Sequence, residues 1–354
     1  MRELLRLLER IDARTIEQPA LGSVLALLAR KRGSGYRQAG ARLLVFEDGE
    51  TAGLLSGGCV EDHVREQALA APRSRRRLVV DTTAVEEAVF GFGTGCAGVL
   101  EVVLEPVEQE SAAVGFLRSL AARPRRAVYA TVFLAEGTWA DQLGRHAWCE
   151  ADKGAPVASD IAQEDLRARV ASSLFDPLVG VGRAEAGGGV AEWTIETFEA
   201  PPRLWIFGAG ADVVPLAALA GALDWDVMVV APRRRPEVAA RFPDRRGLRV
   251  IEVAPRDAVR RLANLFDPSV RREVAVLSTH SLLSDLDYLE ALRAVDLSYL
   301  GAISSPRRRQ LLLDKSGLDP ARLHAPAGLP LGGSDPQDVA LSVIAEIQKA
   351  LNDR

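Results

Sequence analysis

The stretch RLWIFGAGADVVPLAALAGALDWDVMVVAPRR, beginning at Arg203, constrains the fold more than any other part of the chain. An apolar run ends in Gly208-Ala209-Gly210, an alanine- and leucine-rich segment follows, and a second apolar run closes it. That order reads as strand, tight turn, helix, strand, a complete βαβ unit, and such a unit requires a parallel sheet with a crossover helix. The alternation continues downstream. EVAVLSTH reads as a buried strand before the helix DLDYLEALRAV, and SYLGAIS as a further strand. DPQDVALSVIAEIQKAL closes the region as an amphipathic helix with an acidic, proline-marked start. The pattern predicts an α/β fold with a Rossmann-like parallel-sheet domain over residues 200–354.

The sequence before residue 200 has a different texture. Leu4, Leu5, Leu7 and Leu8 stand at helical spacing, and their apolar stripe must be covered either within the chain or by a second copy. SVLALLARKRG fits helix or strand by pattern alone. ARLLVFEDGETAGLL reads as two strands around an Asp48-Gly49 turn. Ser56-Gly57-Gly58-Cys59 then leads into a helix with Val60, Val64 and Ala68 on one face. RRLVVDT, VLEVVLEP and RRAVYATVFLAEG are strand-like, SAAVGFLRSLAAR is helical, and the middle of the chain ends at a glycine run, Gly187 to Gly189. This is an α+β domain over residues 1–199, and 354 residues suit two domains.

Composition removes several function classes. A net charge of −4 argues against nonspecific nucleic-acid binding. No apolar run is long enough for a membrane span, and the opening segment lacks the apolar core of a secretory signal. Three scattered cysteines form no disulfide framework, so a cytoplasmic location is the expectation. There is no CxxC pair, and His63 near Cys59 and His146 near Cys149 are single Cys/His neighbours rather than a ligand cluster, which disfavours structural zinc.

Two cysteines lie among glycines. Cys59 follows Gly57 and Gly58 at the expected start of a helix, where free amides can form an anion nest and hold a thiol closer to its thiolate. Glu61 in the first turn suits the helix dipole and opposes that thiolate. A small buried cysteine filling a tight corner accounts for the position equally well. Cys96 sits among Gly91, Gly93, Gly95 and Gly98, where backbone can approach a ligand or simply form a bulge. Cys149, in HAWCEADKG, lacks this company and reads as incidental.

Gly208 and Gly210 permit a close backbone approach to phosphate at a helix start. The third glycine position of a dinucleotide turn is Val213. The second strand ends in Ala231-Pro232-Arg233-Arg234-Arg235, with no carboxylate for ribose hydroxyls and with arginines that could meet a phosphate. Thr279 and His280 end a buried strand where α/β sheets bind ligands, although a structural histidine is at least as good a reading. Arg307, Arg308 and Arg309 read as a solvated helix start that could touch phosphate, and the arginine run at residues 73–77 reads as a solvated turn. No Ser-His-Asp order and no HExxH helix is present.

With these segments gathered, the chain resembles the XdhC/CoxI family of xanthine dehydrogenase accessory factors. The likeness rests on GSGYRQAGARLLVFEDGETAGLLSGGCVEDHV and GTGCAGVLEVVLEP in the first domain. In the second it rests on IFGAGADVVPLAALAGALDWDVMVV, STHSLLSDLDYLEAL, YLGAISSPRRR and HAPAGLPLGGSDPQDVALSVIAEI. The resemblance implies a molybdenum cofactor (molybdopterin) chaperone that supports sulfuration by a cysteine desulfurase and delivers the cofactor to a molybdenum hydroxylase of the xanthine dehydrogenase type. It implies a non-enzymatic role and, together with the leucine stripe, a homodimer. Cys59 and Cys96 match the family's glycine-flanked cysteines and Glu61 its acidic neighbour. The implied cofactor-binding set is therefore Cys59, Cys96, Gly57, Gly58, Glu61, Gly95, Gly208 and Gly210. Cys59 is the candidate molybdenum ligand, as soft thiolates suit that metal, and the Rossmann turn is expected to take a phosphate or nucleotide. The chain departs from the family pattern at Tyr36, Ala211, Ala231 and Ser304, so its nucleotide-like site is altered. The rival reading is a nicotinamide-dependent oxidoreductase with an active-site cysteine; a scaffold that binds only partner proteins is the third.

Overall fold

A run such as SVLALLARKRG is ambiguous on paper because Val24 to Ala29 are apolar without a break. The computed structural model makes it a strand, β1 (Ser23–Gly33), buried on both faces along Leu27–Ala29. Interior strands covered on both sides read as continuous apolar runs rather than alternating ones. The structure describes residues 2–19, 21–34, 36–58, 60–82, 98–151, 156–175, 180–233, 235–243, 247–262, 265–266 and 272–353. It divides into two compact units, Met1–Glu199 and Ala200–Arg354.

The first unit holds two five-stranded antiparallel sheets. One contains β1, β2 (Arg42–Phe46), β3 (Thr51–Gly53), β4 (Arg76–Asp81) and β5 (Gly98–Pro106), in the order β3-β2-β1-β5-β4. The other contains β6 (Ala127–Gly137), β7 (His146–Glu150), β8 (Ala158–Ser159), β9 (Val181–Ala186) and β10 (Gly189–Phe198), in the order β8-β7-β6-β10-β9. Helices α1 (Arg2–Glu17), α2 (Glu61–Ala70), α3 (Ala112–Ala122) and α4 (Glu164–Ser173) cover them. The glycine run at 187–189 does not end this region. Gly187 and Gly188, both at positive φ, turn β9 back into the ten-residue strand β10.

The leucine stripe of α1 is covered within the chain. Leu4, Leu7, Leu8 and Ile11 pack with Phe46, Leu117, Tyr129, Trp148 and Phe198. Leu5 is half-buried, so most of the stripe is covered within the chain and it no longer needs a second copy to cover it. The inner faces of the two sheets also carry paired charges. Arg42 on β2 makes two hydrogen bonds to Glu196 on β10 (2.9 and 2.6 Å). Arg30 on β1 reaches Glu192 on β10 at 2.5 Å, and His146 Nε2 on β7 lies 2.9 Å from Glu105 on β5. Each buried ion has a partner, as desolvation demands. The arginine run at 73–77 is likewise engaged: Arg77 bonds the buried Glu101 at 2.7 Å and Arg75 pairs with Glu108 at 2.8 Å.

The second unit is a parallel sheet of β11 (Arg203–Phe207), β12 (Asp226–Ala231), β13 (Leu248–Glu252), β14 (Glu273–Leu277) and β15 (Tyr299–Ala302), in the order β13-β12-β11-β14-β15. Helices α5 (Val214–Ala222), α6 (Pro236–Arg241) and α10 (Pro336–Asn352) border one apolar core. Helices α7 (Ala258–Leu262), α8 (Leu282–Leu292) and α9 (Pro306–Ser316) border the other. The direction of winding reverses between β11 and β14, and ligands of such sheets bind at the carboxyl ends of strands at that switch point. Gly208 and Ser278 follow those two strands directly. Asp335 starts α10 with a reciprocal capping box to Asp338.

Candidate functional site

Each unit carries a glycine turn ahead of a helix where a carboxylate dominates, at 56–58 and at 208–210. In the first unit β3 runs into Leu55 and Ser56, and α2 begins at Glu61. Val60, Val64 and Ala68 anchor that helix on the apolar face of the first sheet. The Glu61 side chain reaches back over the turn. Its carboxylate accepts the amides of Leu55 (3.0 Å), Ser56 (2.7 Å) and Val60 (3.2 Å), and the Ser56 hydroxyl at 2.6 Å. Ser56 Oγ in turn accepts the amides of Gly58 (3.2 Å) and Val60 (3.4 Å). Burial pushes the Glu61 carboxyl up, but the Ser56 hydroxyl and the surrounding amides outweigh it and hold the group below the usual carboxylate range.

Glu61 therefore does something different from what its place in the first helical turn indicates. The chain's own carboxylate takes the amides of Leu55, Ser56 and Val60, and the Ser56 hydroxyl takes that of Gly58, so these amides are not free for an outside anion. What stays open is the outer surface. Gly57 and Gly58 are exposed, and a Cβ added at either would meet nothing within 4 Å. Gly58 needs glycine for its φ of +108°, whereas Gly57 is not at positive φ. Packing thus does not call for glycine at 57, and the space above it is open.

Cys59, Gly95 and Cys96 lie outside the described residues. The stem of the segment carrying Cys96 is described: Thr82 and Gly98 exchange three hydrogen bonds of 2.8–3.1 Å. Gly98 also abuts Ser34 beyond the end of β1, where an added Cβ would collide with the Ser34 carbonyl. Cys149 is buried among Val128, Ala147 and Ile161, and burial raises its thiol pKa, as suits an inert core cysteine. Among the described residues no cluster of three or more His, Cys, Asp or Glu side chains could hold a metal ion. No helix among them is long and apolar enough to cross a membrane.

In the second unit Gly208 takes a φ of +128°, and a Cβ there would fall onto the Ser278 carbonyl. The Gly208 amide donates to Val230 O at 3.0 Å and the Ser278 amide to Phe207 O at 2.8 Å. The tight glycine is thus required by the approach of the β11 and β14 ends. Gly210 opens onto Asp212, whose Oδ1 stands where a Cβ of residue 210 would go. Asp212 Oδ2 accepts Ser278 Oγ at 3.1 Å and lies 3.1 Å from His280 Nε2. His280 sits at a φ of +58°, a region histidine tolerates better than most residues. In a dinucleotide fold the pyrophosphate rests at this turn, and a carboxylate is a poor neighbour for it. Residue reading missed Asp212, although the acidic side chain two positions after Gly210 was visible in GAGAD.

Beside the turn lies a cleft of about 490 Å³ lined by Ala209, Ala231, Pro232, Arg233, Arg235, Glu237, Val238 and Arg241. Ala231 is buried at the end of β12 and offers no side-chain carboxylate to a ribose hydroxyl. Arg241 donates to Ala209 O at 3.3 Å. The expectation of a solvated arginine run at the start of α9 fails at Arg308, which bonds the buried Asp285 carboxylate at 2.6 Å. Asp285 also accepts the Thr279 hydroxyl at 2.5 Å. Arg307 alone of the three is exposed.

A two-sheet α+β unit followed by a five-stranded Rossmann sheet defines the class of molecule. The sequence pattern described as "XdhC and CoxI family" matches residues 21–81, and that of the "XdhC Rossmann domain" matches residues 204–347. A Bacillus subtilis protein, named as a probable subunit of xanthine dehydrogenase, is 30% identical over 339 residues, 92% of each chain. An Escherichia coli protein named "Molybdenum cofactor insertion chaperone PaoD" is 24% identical over 92% of this chain and 82% of its own. A crystal structure from Bacillus halodurans, named as a xanthine dehydrogenase, shares the fold with a TM-score of 0.77 over 99% of this chain and 96% of its own, at 24% identity. The chain belongs to the XdhC and CoxI family.

Proposed function

We propose that this chain is a molybdenum-cofactor chaperone that holds the cofactor, supports its sulfuration with a cysteine desulfurase, and passes it to a molybdenum hydroxylase of the xanthine dehydrogenase type. The names of its relatives, one tied to xanthine dehydrogenase and one a cofactor insertion chaperone, support the role. The local observation that carries it is the turn at 56–60: Glu61 fixes the backbone from beneath while Gly57 and Gly58 leave the outer surface bare. In this reading Cys59 supplies a soft ligand that molybdenum accepts, and Cys96 belongs to the same cofactor-binding set. Glu61 is a positioning residue that presents the turn, and Gly57, Gly58 and Gly95 give the cofactor access to backbone. When bound, the cofactor supplies the molybdenum chemistry; the chain retains it and shields it. Gly208 and Gly210 belong to a second site for a phosphate-bearing ligand. The chain works as a carrier without substrate turnover of its own.

The test loads the full chain with molybdenum cofactor and mixes it with a cofactor-free molybdenum hydroxylase. Recovery of hydroxylase activity beyond that given by free cofactor is the expected result. Recovery no better than free cofactor, together with oxidation of NADPH or NADH by the chain itself, would replace this reading with the oxidoreductase one.

A further inference from the structure

We infer that the anion site of the Rossmann-type unit is the arginine cleft at the end of β12, and that it takes a phosphomonoester on the ribose of a nucleotide. This rests on the proposed phosphate-ligand role of the second unit and says where the phosphate goes.

Three observations carry the inference. First, the cleft is cationic: Arg233, Arg235 and Arg241 line it against the single carboxylate of Glu237. Among the described residues these arginines make no ion pair; the only hydrogen bond from the three is the 3.3 Å contact of Arg241 with Ala209 O. Guanidinium groups meet phosphate bidentately, and unpaired ones at the rim of a cleft are poised to do so. Second, Ala231 stands at the strand end where a carboxylate would read two free ribose hydroxyls. An apolar residue there with arginines just beyond favours a ribose that itself bears phosphate. Third, Asp212 occupies the turn. Its carboxylate stands beside Gly210 and is held there by Ser278 and His280, so a phosphate aimed at the turn meets a like charge. The cleft volume of about 490 Å³ lies within the range of small-molecule sites. The structure thus separates the two places a nucleotide could put its phosphate and favours the one away from the turn.

Two isomers test this directly. Adenosine 2′-monophosphate and adenosine 5′-monophosphate have the same composition and charge and differ only in where the phosphate sits. Calorimetric titration of the full chain with each, and with inorganic phosphate, is expected to show the 2′ isomer binding about tenfold or more tightly than the other two. Equal or tighter binding of the 5′ isomer would overturn the assignment, and so would inorganic phosphate matching the 2′ isomer, which would mark a bare anion site. Arg235→Gln and Arg241→Gln are exposed substitutions and should melt as the wild type does while reducing the 2′ preference to about twofold or less. A preference that survives in both variants would also overturn the proposal. Asp212→Asn should improve the 5′ isomer several-fold, and an unchanged 5′ affinity would remove Asp212 from the assignment. Molybdenum retention, measured on the same preparations, is expected to stay at the wild-type level in all three variants. A failure of this inference is thereby distinguishable from a failure of the chaperone reading.

Discussion

The turns at 56–60 and 208–210 share composition and place, each a pair of glycines at the start of a helix, but their backbones are held in opposite ways. At the first, Glu61 lies under the turn and takes the amides inward, so the glycines face solvent with open space above them. At the second, Gly208 is pressed against the Ser278 carbonyl, and the acid, Asp212, stands at the mouth. A glycine can therefore be required by packing or by the need to leave a surface bare, and the surroundings of the missing Cβ tell the two apart.

Alanine at each glycine gives the sharpest contrast. Gly208→Ala would combine a positive φ with a backbone collision and should cost about 3–5 kcal/mol. Gly57→Ala should stay within about 0.5 kcal/mol of wild type while lowering molybdenum retention. Chemical denaturation of both variants checks this, and similar losses at the two positions would break the comparison.

The acids provide the next test. Glu61→Ala removes a carboxylate that bonds three amides and a hydroxyl, and should cost about 2–4 kcal/mol. Because the folded pKa of Glu61 is depressed, its contribution is present above the unfolded value and is lost as pH falls through the folded one. Glu273, in the second unit, has the opposite sign. Burial raises it to about 7, against the indole N–H of Trp205 and the charge of Arg203. Its folded state prefers the protonated acid, so stability falls as pH rises from the unfolded value of about 4.3 toward 7. Melting curves from pH 4 to pH 8 should show Glu273→Gln flattening that decline, and Glu61→Gln weakening the chain above pH 5 more than at pH 4. Parallel pH profiles for the two variants would contradict the assigned environments.

The strands and helices around both turns were legible because short apolar runs stand between turn signals, β2 and β3 around Asp48-Gly49 and β11 and β12 about the glycine turn and α5, while α2 shows Val60, Val64 and Ala68 at helical spacing. β1 was not, since its leucine- and alanine-rich run suits a helix as well as a strand. The side chains that define the turns were also hidden. Glu61 reads as a dipole-matched helix acid until the loop folds back over it. Arg308 and Arg77 read as solvated until the buried Asp285 and Glu101 come into reach through strands distant in sequence. The leucines of α1 could not reveal that Phe46, Leu117 and Phe198 would cover them. These facts depend on contacts across long stretches of chain, where local pattern carries no signal.

The measurement that tests the central claim most directly is the molybdenum and pterin content of the full chain after identical loading, compared for wild type, Cys59→Ala and Cys149→Ala. The account predicts that Cys59→Ala retains less than about half the wild-type molybdenum at an unchanged melting temperature, because a soft ligand is lost and the turn is still held by Glu61. Cys149→Ala, a substitution in a buried core, should retain the wild-type amount. Wild-type molybdenum in Cys59→Ala would contradict the claim that the bare turn of the first unit holds the cofactor.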